Sequence, residues 1–250
     1  MTSPKRLART AGLLYLAVAV FGAFAYGFVL TKVYAPGDAT TTAANVLANA
    51  GLVRLGVVAD LIQATVMAFL AMTLYRLLRH VNQNAASAMV ILAAIATTIM
   101  CLNNVFQIAA LLVATNGSYA TAFGAQGANA LVLLSLDMQH YGFLIAQIFF
   151  GLWLVPMGYL AYKSGMFPKA LGVVLIVAGV CYLVDVLARF LLPDFGAKIH
   201  TFVAVIPPMI AEVWMVLYLL VRGVRTPAPG TPTQGTPLAA TAAAPAGASL

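Results

Sequence analysis

The chain has 250 residues, of which 63% are hydrophobic and only 8% are charged. A soluble domain usually carries about 25% charged residues, so this composition excludes an ordinary water-soluble domain and indicates a membrane protein. The formal net charge of +7 does not indicate a nucleic-acid partner, because the basic residues lie beside apolar segments, where anionic lipid attracts them.

Six apolar segments of about 20 residues follow one another along the chain, and each is long enough to cross a bilayer as an α-helix. They cover residues 10–31, 52–78, 87–113, 141–161, 170–192 and 201–221. The alternation of apolar and polar residues that a membrane β-barrel requires does not occur in the sequence. The predicted fold class is therefore all-α: a polytopic transmembrane bundle of six helices.

The distribution of charge predicts the orientation of the bundle. The segments on one side of the membrane carry basic residues and no acid: Lys5, Arg6, Arg9, Arg76, Arg79, Lys163, Lys169, Arg222 and Arg225. The segments on the other side carry a balanced set: Lys32, Asp38, Asp194 and Lys198. The positive-inside rule therefore places both termini in the cytoplasm and predicts a multi-pass protein of the cell (cytoplasmic) membrane.

The first apolar segment raises the question of a cleaved signal peptide. Basic residues precede it, and residues 23–25 form a weak small-residue cleavage pattern. The apolar run continues well past this pattern to residue 31, which is longer than a typical signal-peptide core. We therefore expect a retained membrane anchor.

The connections between the spans are short. The stretch TTAANVLANAG, within residues 32–51, predicts a brief interfacial helix. Residues 116–127 are rich in Gly, Ser and Asn and predict a loop with turns, whereas residues 129–137 predict a helical extension of the fourth span. From residue 226 the chain is rich in Pro, Ala, Thr and Gly and predicts a disordered cytoplasmic tail. The predicted domains are thus a six-helix transmembrane domain, 1–225, and this tail, 226–250.

Proline predicts an irregularity in two of the spans. Pro156 lies within the fourth span, and the pair Pro207–Pro208 lies in the first third of the sixth. Proline removes a backbone hydrogen bond and tends to kink a helix, and neighbouring helices satisfy the freed carbonyl groups. Structural shaping is the simpler interpretation, and a hinge used in transport is the alternative.

Ionisable side chains within a span cost about 2.5–3.5 kcal/mol each, even on scales derived from membrane insertion, so they are candidates for function. The candidates for binding a ligand or a proton are four ionisable residues and three amides: Glu212, Asp60, Asp137, His140, Gln147, Asn104 and Gln107. In the second, third and fourth spans they recur at three- and four-residue steps, which places each set on one helix face. We predict that these faces turn inward and line an outward-opening polar cavity that is enclosed by spans two to six.

Glu212 is the strongest candidate for a functional carboxylate, and Asp60 is the second. Glu212 lies one turn after Pro207–Pro208 and has no basic residue near its depth. Its carboxyl group is therefore either protonated or neutralised by a cation, by a ligand amine, or by donor groups such as Tyr182 and Asn104.

Asp185 and Arg189 in the fifth span have a different interpretation. They are four residues apart with the acid first, which is the favourable order for an ion pair along a helix. We expect this pair to be structural.

The sequence predicts no catalytic residue, no metal site and no cofactor. It has no GxSxG motif and no nucleotide-binding glycine motif, and Ser135 and His140 lie five residues apart, on different helix faces. Asp137 and His140 could form half of a metal site, but no HExxH-type spacing accompanies them. Cys101 and Cys181 fall inside spans and are expected to be buried small hydrophobic residues.

Several stretches resemble a known family. They are RTAGLLYL near the N-terminus, LYRLLRHVNQNAA at the end of the second span, and GLWLVPMGYLAYKSGMFPKALGVVLIVAGVCYLVD across the fourth and fifth spans. The segment PPMIAE, which contains Glu212, is also similar. The chain thus resembles a bacterial membrane protein family known as domain of unknown function 4386. The resemblance implies a bundle of six or seven spans in a bacterial inner membrane, and it implies no activity, because the family is uncharacterised.

The sequence supports three hypotheses for function. The first is an integral membrane protein that binds or transports a small or amphiphilic ligand in an outward-facing polar cavity, with proton coupling through Glu212. The second is an accessory or scaffold subunit of another membrane protein, and the third is an intramembrane enzyme that acts on a lipid. The expected partners are the lipid bilayer and either a small-molecule ligand or another membrane protein, with no nucleic acid.

Overall fold

The computed structural model describes residues 3–225, and within them the chain forms helices and no strand. Seven helices occur in this part of the chain: α1 (Pro4–Val33), α2 (Ala39–Ala48), α3 (Ala50–Leu78), α4 (Gln83–Thr115), α5 (Gly117–Ser164), α6 (Lys169–Leu191) and α7 (Pro193–Arg222). All except α2 are long and apolar enough to cross a membrane. The predicted fold class is therefore confirmed. The predicted tail, 226–250, lies outside the described residues.

Short polar side chains begin several of the helices. The Ser3 hydroxyl accepts a hydrogen bond from the backbone N–H of Arg6, and the side chains of Asp38, Asn82 and Asn116 accept equivalent bonds at the starts of α2, α4 and α5. Such caps satisfy backbone donors that have no partner inside the helix. They explain why the chain can turn between spans with few residues in each connection.

Two predictions for the outer connections have different outcomes. The short helix predicted between the first two spans is confirmed as α2, and its position at the membrane interface stays a prediction. The loop predicted over residues 116–127 is wrong, because α5 already begins at Gly117 and only Gly124, with φ 71° and ψ 163°, leaves the helical conformation. A glycine can adopt this positive φ without steric cost. One residue is therefore enough to redirect the chain, and no loop is needed.

The six long helices are arranged as a ring in chain order, from α1 through α3, α4, α5 and α6 to α7. The ring closes through contacts between α1 and the second half of α7. There, a Cβ atom built on Gly12 would lie 3.0 Å from the Cβ atom of Leu219. The end that carries α2 is called the outer end below, because the charge pattern predicts that it faces away from the cytoplasm. The close contact of α1 with α7 therefore lies in the inner half of the bundle.

Glycine allows α5 and α6 to approach each other through their backbones. A Cβ atom built on Gly158 would lie 2.5 Å from the carbonyl oxygen of Gly172, and one built on Gly151 would lie 2.8 Å from that of Gly179. Small residues at matched positions are typical of tight helix contacts in membranes, where backbone packing replaces the hydrophobic driving force. This contact fixes α5 against α6.

Three stretches of the long helices are wound as π-helix: Ala23–Leu30 in α1, and Thr201–Val205 and Tyr218–Arg222 in α7. The stretch in α7 that ends at Val205 lies just before Pro207–Pro208, which places the predicted irregularity of the sixth span there. Pro156, in contrast, lies inside α5 with no interruption of the helical conformation around it. Wide turns of this kind are frequent at functional sites.

The prediction that both cysteines are buried is wrong. Cys101 is exposed and Cys181 is half-buried, and both are free thiols. The thiol is apolar enough to lie against lipid. A residue within a span can therefore lie on the outer surface of the bundle.

Candidate functional site

The polar side chains of the spans turn into the bundle, as predicted. Those that are buried within residues 3–225 include one carboxylate on each of α3 and α6 and five amides: Asp60, Asp185, Asn103, Asn104, Gln107, Gln139 and Gln147. They do not share one pocket. The structure divides the polar groups into separate clusters, each of which joins several helices.

The first cluster surrounds Glu212 on α7. The hydroxyl of Tyr15 on α1 donates to Glu212 Oε2 at 2.9 Å, and the hydroxyl of Tyr182 on α6 donates to Oε1 at 3.2 Å. Tyr182 is one of the two donors that the sequence suggested for Glu212; the other, Asn104, bonds elsewhere. No ion pair to Glu212 occurs among the residues that the structure describes, so the two tyrosines provide its charge-stabilising hydrogen bonds.

The second cluster surrounds Asp185 on α6, which is 0% exposed. Gln147 Nε2 on α5 donates to Asp185 Oδ2 at 3.0 Å, and His200 Nδ1 on α7 lies 3.0 Å from Oδ1 and 3.1 Å from Oδ2. Arg189, the predicted partner, has its Nε atom 3.7 Å from Oδ2 and makes no hydrogen bond through it. The ion pair expected along the helix is thus a long contact, and the short bonds come from other helices.

The third cluster surrounds Asp60 on α3. The hydroxyl of Tyr26 on α1 donates to Asp60 Oδ2 at 3.0 Å, and Asn104 Nδ2 on α4 donates to the same oxygen at 2.6 Å. Asn104 Nδ2 also donates to the backbone oxygen of Met100 at 3.0 Å, which fixes the orientation of this amide. The amide of Gln139 on α5 lies beside Tyr26. Side chains of α1, α3 and α4 therefore meet at one carboxylate, and α5 contributes the amide beside Tyr26.

Two further candidates, Asp137 and His140, lie at the outer end. The Tyr34 hydroxyl donates to Asp137 Oδ1 at 2.6 Å, and the ring of His140 lies 6.2 Å from the Tyr34 ring between centroids. Burial and the bond to Asp137 raise the pKa of Tyr34, which lies just beyond α1. Gln107 is buried against Gly56, away from these groups. Asp137 and Gln107 thus have neighbours of their own and do not join the other clusters.

A cavity of about 580 Å³ lies beside these clusters, between α1, α5, α6 and α7. Glu212, Tyr15, Tyr182, Gln147 and His200 supply its polar wall, and the remaining wall is mostly apolar. An outer cavity of about 460 Å³ shares Gln147 and His200 with it and is also lined by Arg189, His140 and Tyr34.

The prediction of a polar cavity enclosed by spans two to six is therefore wrong in two respects. The cavity borders the first span, and its wall is mainly apolar. The reason is that the buried polar groups bond to one another in compact clusters, which leaves apolar side chains to form most of the wall. Of the seven sequence candidates, Glu212, Gln147 and His140 line these cavities, whereas Asp60, Asn104, Gln107 and Asp137 do not.

Four residues of the clusters were missed by the sequence candidates: Tyr15, Tyr26, Gln139 and His200. A tyrosine in an apolar run has no distinguishing signal, because most such residues pack in cores or at membrane interfaces. His200 did carry a signal, since it is an ionisable residue one step before the sixth predicted span. Hydropathy alone begins the sixth span at residue 201 and leaves His200 outside it, whereas α7 already begins at Pro193.

A family model described as Domain of unknown function (DUF4386) matches residues 10–223, which is nearly the whole of the bundle. The chain belongs to this family. The resemblance seen in the sequence is thereby confirmed, and the DUF4386 description assigns no activity.

A curated protein from the archaeon Archaeoglobus fulgidus, described as "Uncharacterized protein", is similar to part of the chain. It is 34% identical over 79 residues, which are 32% of this chain and 44% of that protein. The chain therefore spans less than half the length of this relative, whose archaeal source leaves the bacterial inner membrane a prediction. No solved structure matches the chain.

Proposed function

We propose that this DUF4386 protein binds a small amphiphilic molecule with a cationic or hydrogen-bond-donating head group, which Glu212 receives in the cavity between α1, α5, α6 and α7. The observation that carries the proposal is a carboxylate at the wall of a mostly apolar cavity, with two tyrosine donors and no basic partner among the described residues. An ionised carboxylate accepts about four hydrogen bonds, so the two tyrosines leave room for a ligand.

The size and wall of the cavity support this choice of ligand. Its volume of about 580 Å³ lies within the usual range of ligand pockets, which are mostly apolar with a few polar groups. Several side chains of its wall are also exposed on the outside of the bundle, including Leu16 on α1 and Met209 and Val213 on α7. A molecule with an apolar tail can therefore reach Glu212 from the lipid, between α1 and α7.

The proposal is tested with three probes of equal length: octylamine, octanol and octanoate. The protein in lipid nanodiscs should bind octylammonium saturably, octanol more weakly and octanoate least. Glu212→Gln should weaken octylammonium binding about 10- to 100-fold, because a hydrogen bond to a charged group contributes about 1.5–3 kcal/mol. The matched control is Asp194→Asn, an exposed carboxylate on the same helix, which should bind like the wild type. Equal binding of the three probes, or no loss in Glu212→Gln, would refute the proposal.

Transport is the extension of the same proposal. If the ligand crosses the membrane, proteoliposomes should accumulate a labelled octylammonium tracer, and Glu212→Gln should abolish the accumulation. Binding without accumulation restricts the function to binding. Co-purification of a defined membrane protein, with no amphiphile bound at Glu212, would instead favour an accessory subunit.

One observation favours an enzyme as the second candidate. His200 lines the cavity with its Nδ1 atom held by the buried Asp185, an arrangement that orients an imidazole as a general base. The residues that line the larger cavity include no serine, threonine or cysteine, so a water molecule would be the nucleophile there. Hydrolysis of an ester-linked lipid that is lost in His200→Gln, at unchanged ligand binding, would establish this activity.

A further inference from the structure

The cluster around Asp60 has a surplus of acceptor atoms. Both donors, Tyr26 and Asn104, bond to Asp60 Oδ2, and the other carboxylate oxygen, Oδ1, is buried without a partner. Asn104 Oδ1 and Gln139 Oε1 are also buried without a partner. Asp60, Asn104 and Gln139 are each only 2–3% exposed. The fully buried atoms of these three side chains that lack a partner are thus all oxygens.

Such a set of oxygens is unusual in a folded protein. Most buried polar atoms have a hydrogen-bond partner, and leaving one without costs about 1–3 kcal/mol. Because the unpartnered atoms are all acceptors, they cannot satisfy one another. What satisfies them must be positively charged or must donate hydrogen bonds.

The charge of the cluster indicates which kind of ligand can satisfy these oxygens. Asp60 contributes one negative charge, and within residues 3–225 the ion pairs involve Asp185 and no other carboxylate. The same residues contain no group of three His, Cys, Asp or Glu that could hold a metal ion of higher charge. One carboxylate with neutral amide oxygens matches a hard cation of single charge, since hard cations take oxygen ligands.

We propose that Asp60, Asn104 and Gln139 form a binding site for a sodium ion. Asp60 Oδ1, Asn104 Oδ1 and Gln139 Oε1 supply the ligands from α3, α4 and α5. Two other amide oxygens are also buried without a partner: Asn103 Oδ1 packs against Gly142 and Gln63 Oε1 against Gly22, and neither is part of the site. The ion neutralises Asp60 inside the membrane, where an uncompensated carboxylate is costly.

The site does not depend on the function proposed for Glu212, but one residue joins the two. Tyr26 donates to Asp60 and also lines both cavities, and it lies in the π-helical stretch of α1. A change in the position of Tyr26 therefore alters both the sodium site and the ligand cavity.

The test uses purified wild-type protein at constant ionic strength, with sodium exchanged for N-methylglucamine. We expect saturable binding of ²²Na⁺ and a melting temperature that rises with sodium until it reaches a plateau. Asp60→Asn and Asn104→Ala should each need about tenfold more sodium for the same effect, because the number and charge of the ligands set the affinity. Asp137→Asn, at the outer end, is the matched control and should behave like the wild type. Glu212→Gln should also retain sodium binding, which separates this proposal from the previous one.

Three results would overturn the proposal. The first is the absence of saturable ²²Na⁺ binding to the wild type, which does not depend on whether any variant folds. The second is binding that persists in Asp60→Asn and Asn104→Ala, which would indicate an ion held elsewhere. The third is a melting temperature that responds to pH and not to sodium, which would assign the site to a proton.

Discussion

The Nδ1 atom of His200 lies 3.0 Å from Oδ1 of Asp185, although fifteen residues and a turn between two spans separate them. Asp185 is fully buried and, when ionised, can only accept hydrogen bonds, so Nδ1 carries the hydrogen. The bond ties the outer start of α7 to the outer half of α6. It also leaves Nε2 as the free nitrogen of an imidazole that lines the cavity.

This bond predicts that His200 contributes more to the stability of the fold than Arg189 does. His200→Ala should lower the free energy of unfolding by about 1.5–3 kcal/mol, because it removes a hydrogen bond to a buried charged group. Arg189→Ala should cost clearly less, since its Nε atom lies 3.7 Å from Asp185 Oδ2 and makes no hydrogen bond. Thermal unfolding of both variants in detergent checks the order.

A double-mutant cycle provides the control for this ranking. Asp185→Asn should cost less in the His200→Ala background than in the wild type, because the interaction is then already lost. A larger loss from Arg189→Ala than from His200→Ala would show that the pair along the helix dominates after all.

The glycine contact between α5 and α6 predicts a local intolerance of a single methyl group. Gly158→Ala would place its Cβ atom 2.5 Å from the Gly172 carbonyl oxygen, so the helices must separate, and overpacking of this kind costs about 1–3 kcal/mol. Gly27→Ala is the control, since nothing lies within 4 Å of its added Cβ atom. Unfolding midpoints measured in the same detergent should fall for Gly158→Ala alone. Equal midpoints for the two variants would mean that the backbones are not in contact.

The spans and their number could be predicted from the sequence because a bilayer imposes length and hydropathy directly. The inward position of Asp60, Asn104 and Gln147 could be predicted for a related reason, since lipid offers no hydrogen-bond partner. Both inferences rest on local properties of the chain. They need no knowledge of which helix lies beside which.

The partners of the polar groups could not be predicted, because they depend on the neighbours of each helix in the ring. Asp185 illustrates this: sequence spacing pointed to Arg189 on the same helix, whereas the short bonds come from Gln147 on α5 and His200 on α7. Glu212 illustrates it again through Tyr15, 197 residues away. The position of the cavity was predicted wrongly for the same reason, since only the packing of α1 beside α7 creates the cavity.

The start of α2 predicts a dependence on pH at the outer surface. The Thr41 hydroxyl and the Thr41 backbone N–H both donate to Asp38 and lower its pKa below the usual value. The cap therefore stabilises α2 fully above the pKa of Asp38 in the unfolded chain. This stabilisation is lost as the pH falls through the lower pKa of the folded state.

Spin labelling measures this effect. A label on Leu47→Cys, an exposed position of α2, in a background where Cys101 and Cys181 are alanine, should become more mobile as the pH falls through this range. Asp38→Asn keeps a capping side chain that does not titrate, so its spectrum should not change with pH over the same range. A pH response that persists in Asp38→Asn would assign the effect to another group.

Helices α1 and α7 are in contact in the inner half of the bundle and are separated by the cavity farther out. This arrangement predicts a difference in cross-linking between the two halves. Gly12 and Leu219 meet in the inner half, where a Cβ atom built on Gly12 lies 3.0 Å from Leu219 Cβ. Cysteines at these two positions should therefore form a disulfide with a small relaxation, since bonded Cβ atoms are about 3.5–4.5 Å apart.

Ala23 and Val205 line the cavity of about 580 Å³ from α1 and α7. Cysteines at these positions should form no direct disulfide, and a bifunctional maleimide should join them. Both pairs are compared in the background without native cysteines, by the shift in gel mobility after oxidation. Rapid disulfide formation by the outer pair would show that α1 and α7 close over the cavity, and lipid would then have no path to Glu212.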